Sequence, residues 1–195
     1  MQDYIYSVIA FLAMVIHLII NFDMLPGQRG CGTAYGLRYR GFLAGLFAYY
    51  VVDAGWGVFA GLGWTHVLYI DTMLYYIVIA VSVLTWCRYV ISYLNFSRWK
   101  SQVLFWFGYA LLALYVVLLV ANVFNNCLFY FDARGAYVPG SLRTFLFYPL
   151  VVLNVLMAIC VLVKAFGSQG AVRRRNMDVF LFCLTMAVAI VFQIV

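Results

Sequence analysis

Long apolar runs separated by short polar segments dominate the chain. Six of these runs reach the roughly 20 apolar residues that a helix needs to cross the hydrocarbon core of a bilayer. They extend over Tyr4–Met24, Gly41–Leu62, Thr65–Leu94, Lys100–Phe124, Leu142–Phe166 and Met177–Val195. The pattern therefore predicts an all-α integral membrane protein with six transmembrane helices, which form a single domain over residues 1–195.

Composition supports this fold class and excludes a soluble one. Hydrophobic residues make up 68% of the chain and charged residues 9%, whereas a soluble domain needs about a quarter of its residues charged. The net charge of +6 does not predict nucleic-acid binding, because the basic residues stand in short clusters between the apolar runs. We expect them to contact the anionic headgroups of the lipid bilayer instead.

The segment 125–141 differs from the other connections. Aromatic and β-forming residues flank the turn sequence Asp132-Ala133-Arg134-Gly135, and Pro139-Gly140 follows. This pattern predicts a short β-hairpin between helices four and five, with Gly135 at the position that needs a positive φ. Two strands are marginally stable by themselves, so we expect the hairpin to pack on the helix ends.

The distribution of lysine and arginine predicts the orientation. Of the twelve basic residues, only Arg134 and Arg143 fall on the hairpin side, which leaves ten for the other side. Basic loops stay in the cytosol, so the N-terminus and the hairpin are expected outside the cell. Arg173-Arg174-Arg175 is most simply a topology determinant beside anionic lipid.

The end of the chain carries a further expectation. Six spans that begin outside must end outside, and the sixth apolar run stops at Val195 with no polar tail. We therefore expect a seven-helix module that lacks its last helix here. That helix would lead to a cytosolic output domain that is absent from this chain.

Polar groups inside the spanning segments are candidate sites, because their burial in lipid is costly. Asp53 lies in the outer half of helix two and must find hydrogen-bond donors or be protonated. Tyr75, Tyr76 and Asn154 lie at the same depth on helices three and five. Asp53 either holds helix two against helix three through hydrogen bonds or forms a site for a ligand or a proton. The sequence favours neither of these two roles.

Asp71 lies about two turns into helix three. An interfacial acid close to water is the more frequent role for such a residue, and a place in an outward-facing pocket is the alternative. The candidate ligand-binding residues are Asp53, Trp56, Asp71, Tyr75, Tyr76 and Asn154.

Several kinds of chemistry are excluded. His17 and His66 lie at opposite depths, which is unsuitable for two axial ligands of one haem, and Lys164 is at a helix end rather than deep in the last helix, where a retinal protein needs its lysine. The five cysteines have no metal-ligand spacing. No nucleophile elbow or phosphate-binding loop is present. We expect no cofactor, no metal and no enzymatic activity within these residues.

Several stretches together show a family resemblance. They are Asp53-Ala54-Gly55-Trp56-Gly57, the Tyr69–Tyr76 segment, Arg88-Tyr89-Val90 with Tyr93-Leu94, and Phe131-Asp132 with Gly135 and Tyr137. From about Arg40 to Arg175, the chain resembles the N-terminal membrane sensor region that precedes GGDEF diguanylate cyclase domains in gut Firmicutes.

The resemblance implies a bacterial sensor or receptor module in the cytoplasmic membrane. Its outer face would read an unknown small ligand or a membrane state, and a cytosolic cyclase would make cyclic di-GMP from GTP. The chain itself contains no GGDEF motif. The analogy also implies a homodimer, because such modules bring two catalytic domains together.

Two other functions remain open. Six helices with an intramembrane carboxylate also fit a small transporter or a channel subunit. Transporters often show repeats or broken helices, but the two halves here show no repeat and Pro149 is the only proline within a span. The other alternative is a structural subunit without a ligand.

Overall fold

The computed structural model describes residues 2–22, 34–94 and 96–194. Over these ranges the chain forms α1 (Gln2–Ile20), α2 (Ala34–Gly61), α3 (Thr65–Leu94), α4 (Arg98–Asn125), β1 (Phe129–Phe131), β2 (Tyr137–Pro139), α5 (Arg143–Phe166) and α6 (Gly170–Ile194). Five helices, α2 to α6, are long and apolar enough to cross a membrane, and the apolar part of α1 is shorter. The architecture is that of an all-α, multi-pass membrane protein.

The helix boundaries agree with the apolar pattern at some ends and differ at others. Helix α3 has the predicted ends. Helix α2 begins at Ala34 rather than Gly41, and α6 begins at Gly170 rather than Met177. Both extensions are rich in arginine, which favours a helix but interrupts an apolar run. The predicted loop between helices five and six is therefore largely helical.

Other predictions fall partly outside the described residues. Helix α1 ends at Ile20, and the predicted end of helix one at Met24 lies outside them. The same holds for most of the first connection, including Arg29, and for Val195. The two remaining long helices, α4 and α5, differ from the prediction by one or two residues at their ends.

Helix α3 is the central helix of the bundle. It contacts α2, α4, α5 and β1. Helix α6 packs on α5 and also reaches α2 and α3, since the ring centroid of Phe182 lies 4.6 Å from that of Trp86 and 5.7 Å from that of Phe42. Helix α1 runs antiparallel to α2, where the hydroxyl of Ser7 donates a hydrogen bond to the carbonyl of Ala54 at 2.7 Å.

The alternation of helix direction separates two ends of the bundle. The starts of α2, α4 and α6 and the ends of α3 and α5 lie at the same end of the bundle. We call it the basic end. It carries Arg38, Arg40, Arg88, Arg98, Lys100, Lys164, Arg173, Arg174 and Arg175. The ammonium group of Lys164 there donates a hydrogen bond to the carbonyl of Leu94 and joins α5 to α3. The opposite end, with β1 and β2, is the hairpin end.

Strands β1 and β2 form a two-stranded antiparallel sheet in which Phe131 is opposite Tyr137. One carboxylate oxygen of Asp132 accepts hydrogen bonds from the backbone N–H groups of Arg134 and Ala136, both at 2.8 Å. Gly135 has φ 77°, a left-handed conformation that glycine adopts without steric cost. The side chain of Asp132 and the backbone of Gly135 thus shape the turn between the strands.

Asn122 fixes the sheet to the end of α4. Its side chain is fully buried, and its Oδ1 accepts hydrogen bonds from the N–H groups of Leu128 at 2.7 Å and Phe129 at 3.1 Å. Its Nδ2 donates to the carbonyl of Phe129 at 3.2 Å. These bonds satisfy backbone groups that would otherwise be buried without a partner where the helix ends.

Candidate functional site

Two carboxyl groups lie in the hairpin-end halves of the adjacent helices α2 and α3. Asp71 is buried, with 7% of its surface exposed, and Asp53 is half-buried. The two side chains interact electrostatically. Like charges repel more strongly in surroundings of low polarity than in water. A cation or a hydrogen-bond donor that contacts either carboxylate would therefore reduce this repulsion.

Asp71 has an unsatisfied oxygen. Its Oδ2 is buried and has no hydrogen-bond partner among the described residues. Its Oδ1 lies 3.3 Å from the point where a β-carbon on Gly55 would stand, so the missing side chain of Gly55 makes room for the carboxyl group. A buried carboxyl oxygen without a partner is costly, which marks it as a candidate contact point for a ligand.

Tyr75 joins the same group of side chains. Its hydroxyl hydrogen-bonds to Tyr49, and the phenol also interacts electrostatically with Asp53. The ring centroids of Tyr49 and Tyr75 are 5.6 Å apart. The structure therefore brings three of the predicted site residues, Asp53, Asp71 and Tyr75, to one place between α2 and α3.

Trp56 links this place to the hairpin. Its indole N–H donates a hydrogen bond to the hydroxyl of Thr72 at 3.2 Å, and that hydroxyl donates to the carbonyl of Leu68 at 2.7 Å. The indole ring meets the ring of Tyr137 edge-on, with centroids 6.4 Å apart. Trp56 thus connects α2, α3 and β2, with its polar atom already bonded to Thr72.

Tyr76 lies beneath the hairpin rather than beside the carboxyl groups. It is 2% exposed, and its hydroxyl lies 3.2 Å from that of Tyr137. Its ring stacks on Phe129 at 5.8 Å. The guanidinium of Arg143 lies over the rings of Tyr137 and Phe147, at 5.9 and 5.8 Å from their centroids, and adds a cation–π contact to this aromatic layer.

Asn154 is not joined to the other five predicted residues by any hydrogen bond within the part of the chain that the structure describes. It is fully buried, and its Nδ2 donates to the carbonyl of Leu150 in its own helix at 3.0 Å. Its Oδ1 is buried without a partner among the described residues. Equal depth does not determine which face of a helix a residue occupies, so depth alone did not predict the contacts of Asn154.

Four polar residues of this region were not among the predicted site residues. They are Ser7, Tyr49, Thr72 and Tyr137, each of which bonds to a neighbouring element or to a predicted site residue. Ser7 and Thr72 carried a usable signal, because hydroxyls inside apolar runs often bond across helices. Tyr137 carried a weaker one, as an aromatic residue of the hairpin.

No protein-family model, curated protein or solved structure matches this chain. Among the described residues, no group of three or more histidine, cysteine, aspartate or glutamate side chains is placed to hold a metal ion. The geometry around Asp53 and Asp71 therefore carries the functional conclusion.

Proposed function

We propose that this chain is the membrane module of a bacterial sensor or receptor in the cytoplasmic membrane. All six helices would span the bilayer, with the N-terminus and the hairpin outside. The hairpin end would bind a small ligand or sense a state of the membrane. The module would regulate a cytosolic output domain, for which the resemblance of the sequence favours a diguanylate cyclase.

The observation that carries this proposal is the buried Oδ2 of Asp71, which has no hydrogen-bond partner in the part of the chain that the structure describes, together with its electrostatic interaction with Asp53. A carboxyl group whose role was to hold α3 in place would have hydrogen-bond donors for both oxygens. The arrangement instead suits a ligand that offers a cationic group or several hydrogen-bond donors. Intramembrane ionisable residues of this kind are functional-site candidates in general.

The proposed orientation is supported by the distribution of charge. Nine of the described basic residues lie at the basic end, whereas only Arg134 and Arg143 lie at the hairpin end. Lysine and arginine near the ends of spans are retained on the cytosolic side during insertion. The hairpin, the carboxyl groups and the first residues of α1 would consequently face outward.

Helix α3 provides a route between the two ends. It carries Asp71 and Tyr76 near the hairpin and Tyr93 at the basic end. There the hydroxyl of Tyr93 donates to Oδ1 of Asn176 and accepts from Nε of Arg175, both at 3.0 Å. A ligand held between α2 and α3 would favour one packing of α3 against α6, and this bias would be the signal.

The test is the output of the full coding sequence expressed in bacterial cells. Asp53→Asn and Asp71→Asn each remove the acidic group at nearly constant size, and Asp178→Asn is the matched control, since Asp178 is an exposed acid on α6. We expect a change in cyclic di-GMP of about fivefold or more for the first two, the effect of ~1 kcal/mol of coupling. Equal membrane levels and unchanged output in both would refute the site.

A transporter or channel subunit is the second candidate, because a carboxyl pair within a helical membrane protein also suits transported cations. Uptake into proteoliposomes that contain the purified chain, abolished by Asp71→Asn, would favour this function.

A homodimer forms part of the sensor proposal. Cross-linking in membranes that yields monomers at all protein levels would argue against that part.

A further inference from the structure

A cavity at the basic end is lined by residues of three helices. It has a volume of about 430 Å³ and lies between the start of α2, the end of α3 and the start of α4. Its polar lining consists of Arg38, Arg88, Ser92, Arg98, Ser101 and Gln102. A second cavity of about 260 Å³ shares Arg38 and Arg88 with it. We call the two together the basic pocket.

The three arginines of the basic pocket form no ion pair with any residue that the structure describes. Of the acids in the described ranges, Asp3, Asp53, Asp71 and Asp132 belong to the hairpin end, and Asp178 is on α6. Asp23 lies outside the described residues. The three guanidinium groups line one cavity, and they repel one another because no acid among the described residues offsets their charge. An anion bound among them would remove this repulsion and accept their N–H donors.

An apolar groove adjoins the basic pocket on the surface of α4. It is lined by Trp99, Val103, Trp106 and Phe107, and Gln102 lines both features. Trp99 and Trp106 are 70% and 68% exposed. Exposed tryptophans beside basic residues are typical of the level at which lipid headgroups meet acyl chains. The neighbouring pocket and groove therefore match a molecule with an anionic head and an apolar tail.

We propose that the basic pocket is a specific site for the phosphate headgroup of an anionic phospholipid. Arg38, Arg88 and Arg98 bind the phosphate oxygens, for which the planar guanidinium is well suited, and an acyl chain lies in the groove along Trp99 and Trp106. The site is at the opposite end from Asp53 and Asp71, so it does not depend on the proposed ligand there. A lipid bound here would hold the ends of α2, α3 and α4 together.

The test is binding of phosphatidylglycerol to the purified chain in detergent, measured by native mass spectrometry. Arg38→Gln/Arg88→Gln removes two charges from the basic pocket. The matched control, Arg173→Gln/Arg174→Gln, removes two charges from arginines at the same end that do not line the basic pocket. We expect about fivefold weaker binding for each pocket arginine removed, as ~1 kcal/mol per charge implies. The control should change the affinity less than twofold, and phosphatidylcholine should bind weakly to all forms.

Three results would overturn the proposal. Equal losses in the pocket and control variants would mean that only the general charge of this end attracts lipid. Equal affinity for phosphatidylcholine would exclude a headgroup site. Tight binding of glycerol phosphate, unaffected by Trp99→Ala, would identify a soluble anion as the ligand. If the double variant does not fold, Arg98→Gln, in the exposed first turn of α4, is compared with the single control Arg173→Gln.

Discussion

The hydroxyl oxygens of Tyr76 and Tyr137 lie 3.2 Å apart. This hydrogen bond joins the central helix α3 to strand β2 across a layer of stacked aromatic rings. It makes the hairpin a part of the helical packing rather than a free loop. Any movement of α3 near Asp71 is therefore expected to involve the hairpin as well.

Removal of either hydroxyl tests this connection. Tyr76→Phe and Tyr137→Phe each delete one partner of the same bond, so each should lower the free energy of unfolding by about 1 kcal/mol. The double variant should lose no more than the larger single loss, because the two residues share one interaction. Chemical unfolding in detergent micelles measures these values, and fully additive losses would show that the two hydroxyls act independently.

Asn122 is expected to be the main anchor of the hairpin. Asn122→Ala removes three hydrogen bonds to the backbone of Leu128 and Phe129, and we expect a loss of about 2–4 kcal/mol in unfolding free energy. Trypsin should also cut faster after Arg134 in the hairpin turn. Asn125→Ala is the control, since Asn125 is exposed in the last turn of the same helix. Equal sensitivity of the two variants would contradict the anchoring role.

Gly45 allows α2 and α3 to approach closely. A β-carbon there would stand 2.9 Å from the hydroxyl oxygen of Ser82 and 3.3 Å from its α-carbon, whereas one on Gly41 would meet nothing within 4 Å. We expect Gly45→Ala to lower the unfolding free energy by about 1–3 kcal/mol through overpacking. Gly41→Ala should leave it unchanged or slightly higher. A stable Gly45→Ala protein would mean that α2 and α3 can separate without cost.

The apolar runs predicted the helices best where a turn sequence or a polar residue marks their ends. Gly63 and Trp64 precede α3, and its predicted end at Leu94 is the observed one. The predicted starts of α2 and α6 were wrong. A charged helical turn at the membrane surface has the same low hydropathy as a basic loop, so hydropathy cannot distinguish the two. Arg173-Arg174-Arg175, assigned to a loop, continues the helix.

Part of the candidate site could also be predicted from the sequence. The cost of burying a carboxylate in the membrane identifies Asp53 and Asp71 as candidates from the sequence. The short turn Gly63-Trp64 places their two helices side by side. Asn154 could not be assigned in this way, because α5 is distant in sequence and its rotation about its own axis depends on tertiary packing. The same dependence concealed the hydrogen bond between Trp56 and Thr72.

The most direct test of the central claim is whether a change at Asp71 reaches the basic end. Hydrogen exchange of the purified chain, followed by mass spectrometry, compares the wild type with Asp71→Asn and with the control Asn125→Ala. We expect Asp71→Asn to change exchange rates in residues 168–176 by about fivefold, corresponding to ~1 kcal/mol of coupling through α3, while the control leaves them unchanged. Changes confined to the hairpin-end halves of α2 and α3 would contradict a coupling of Asp71 to the basic end through α3.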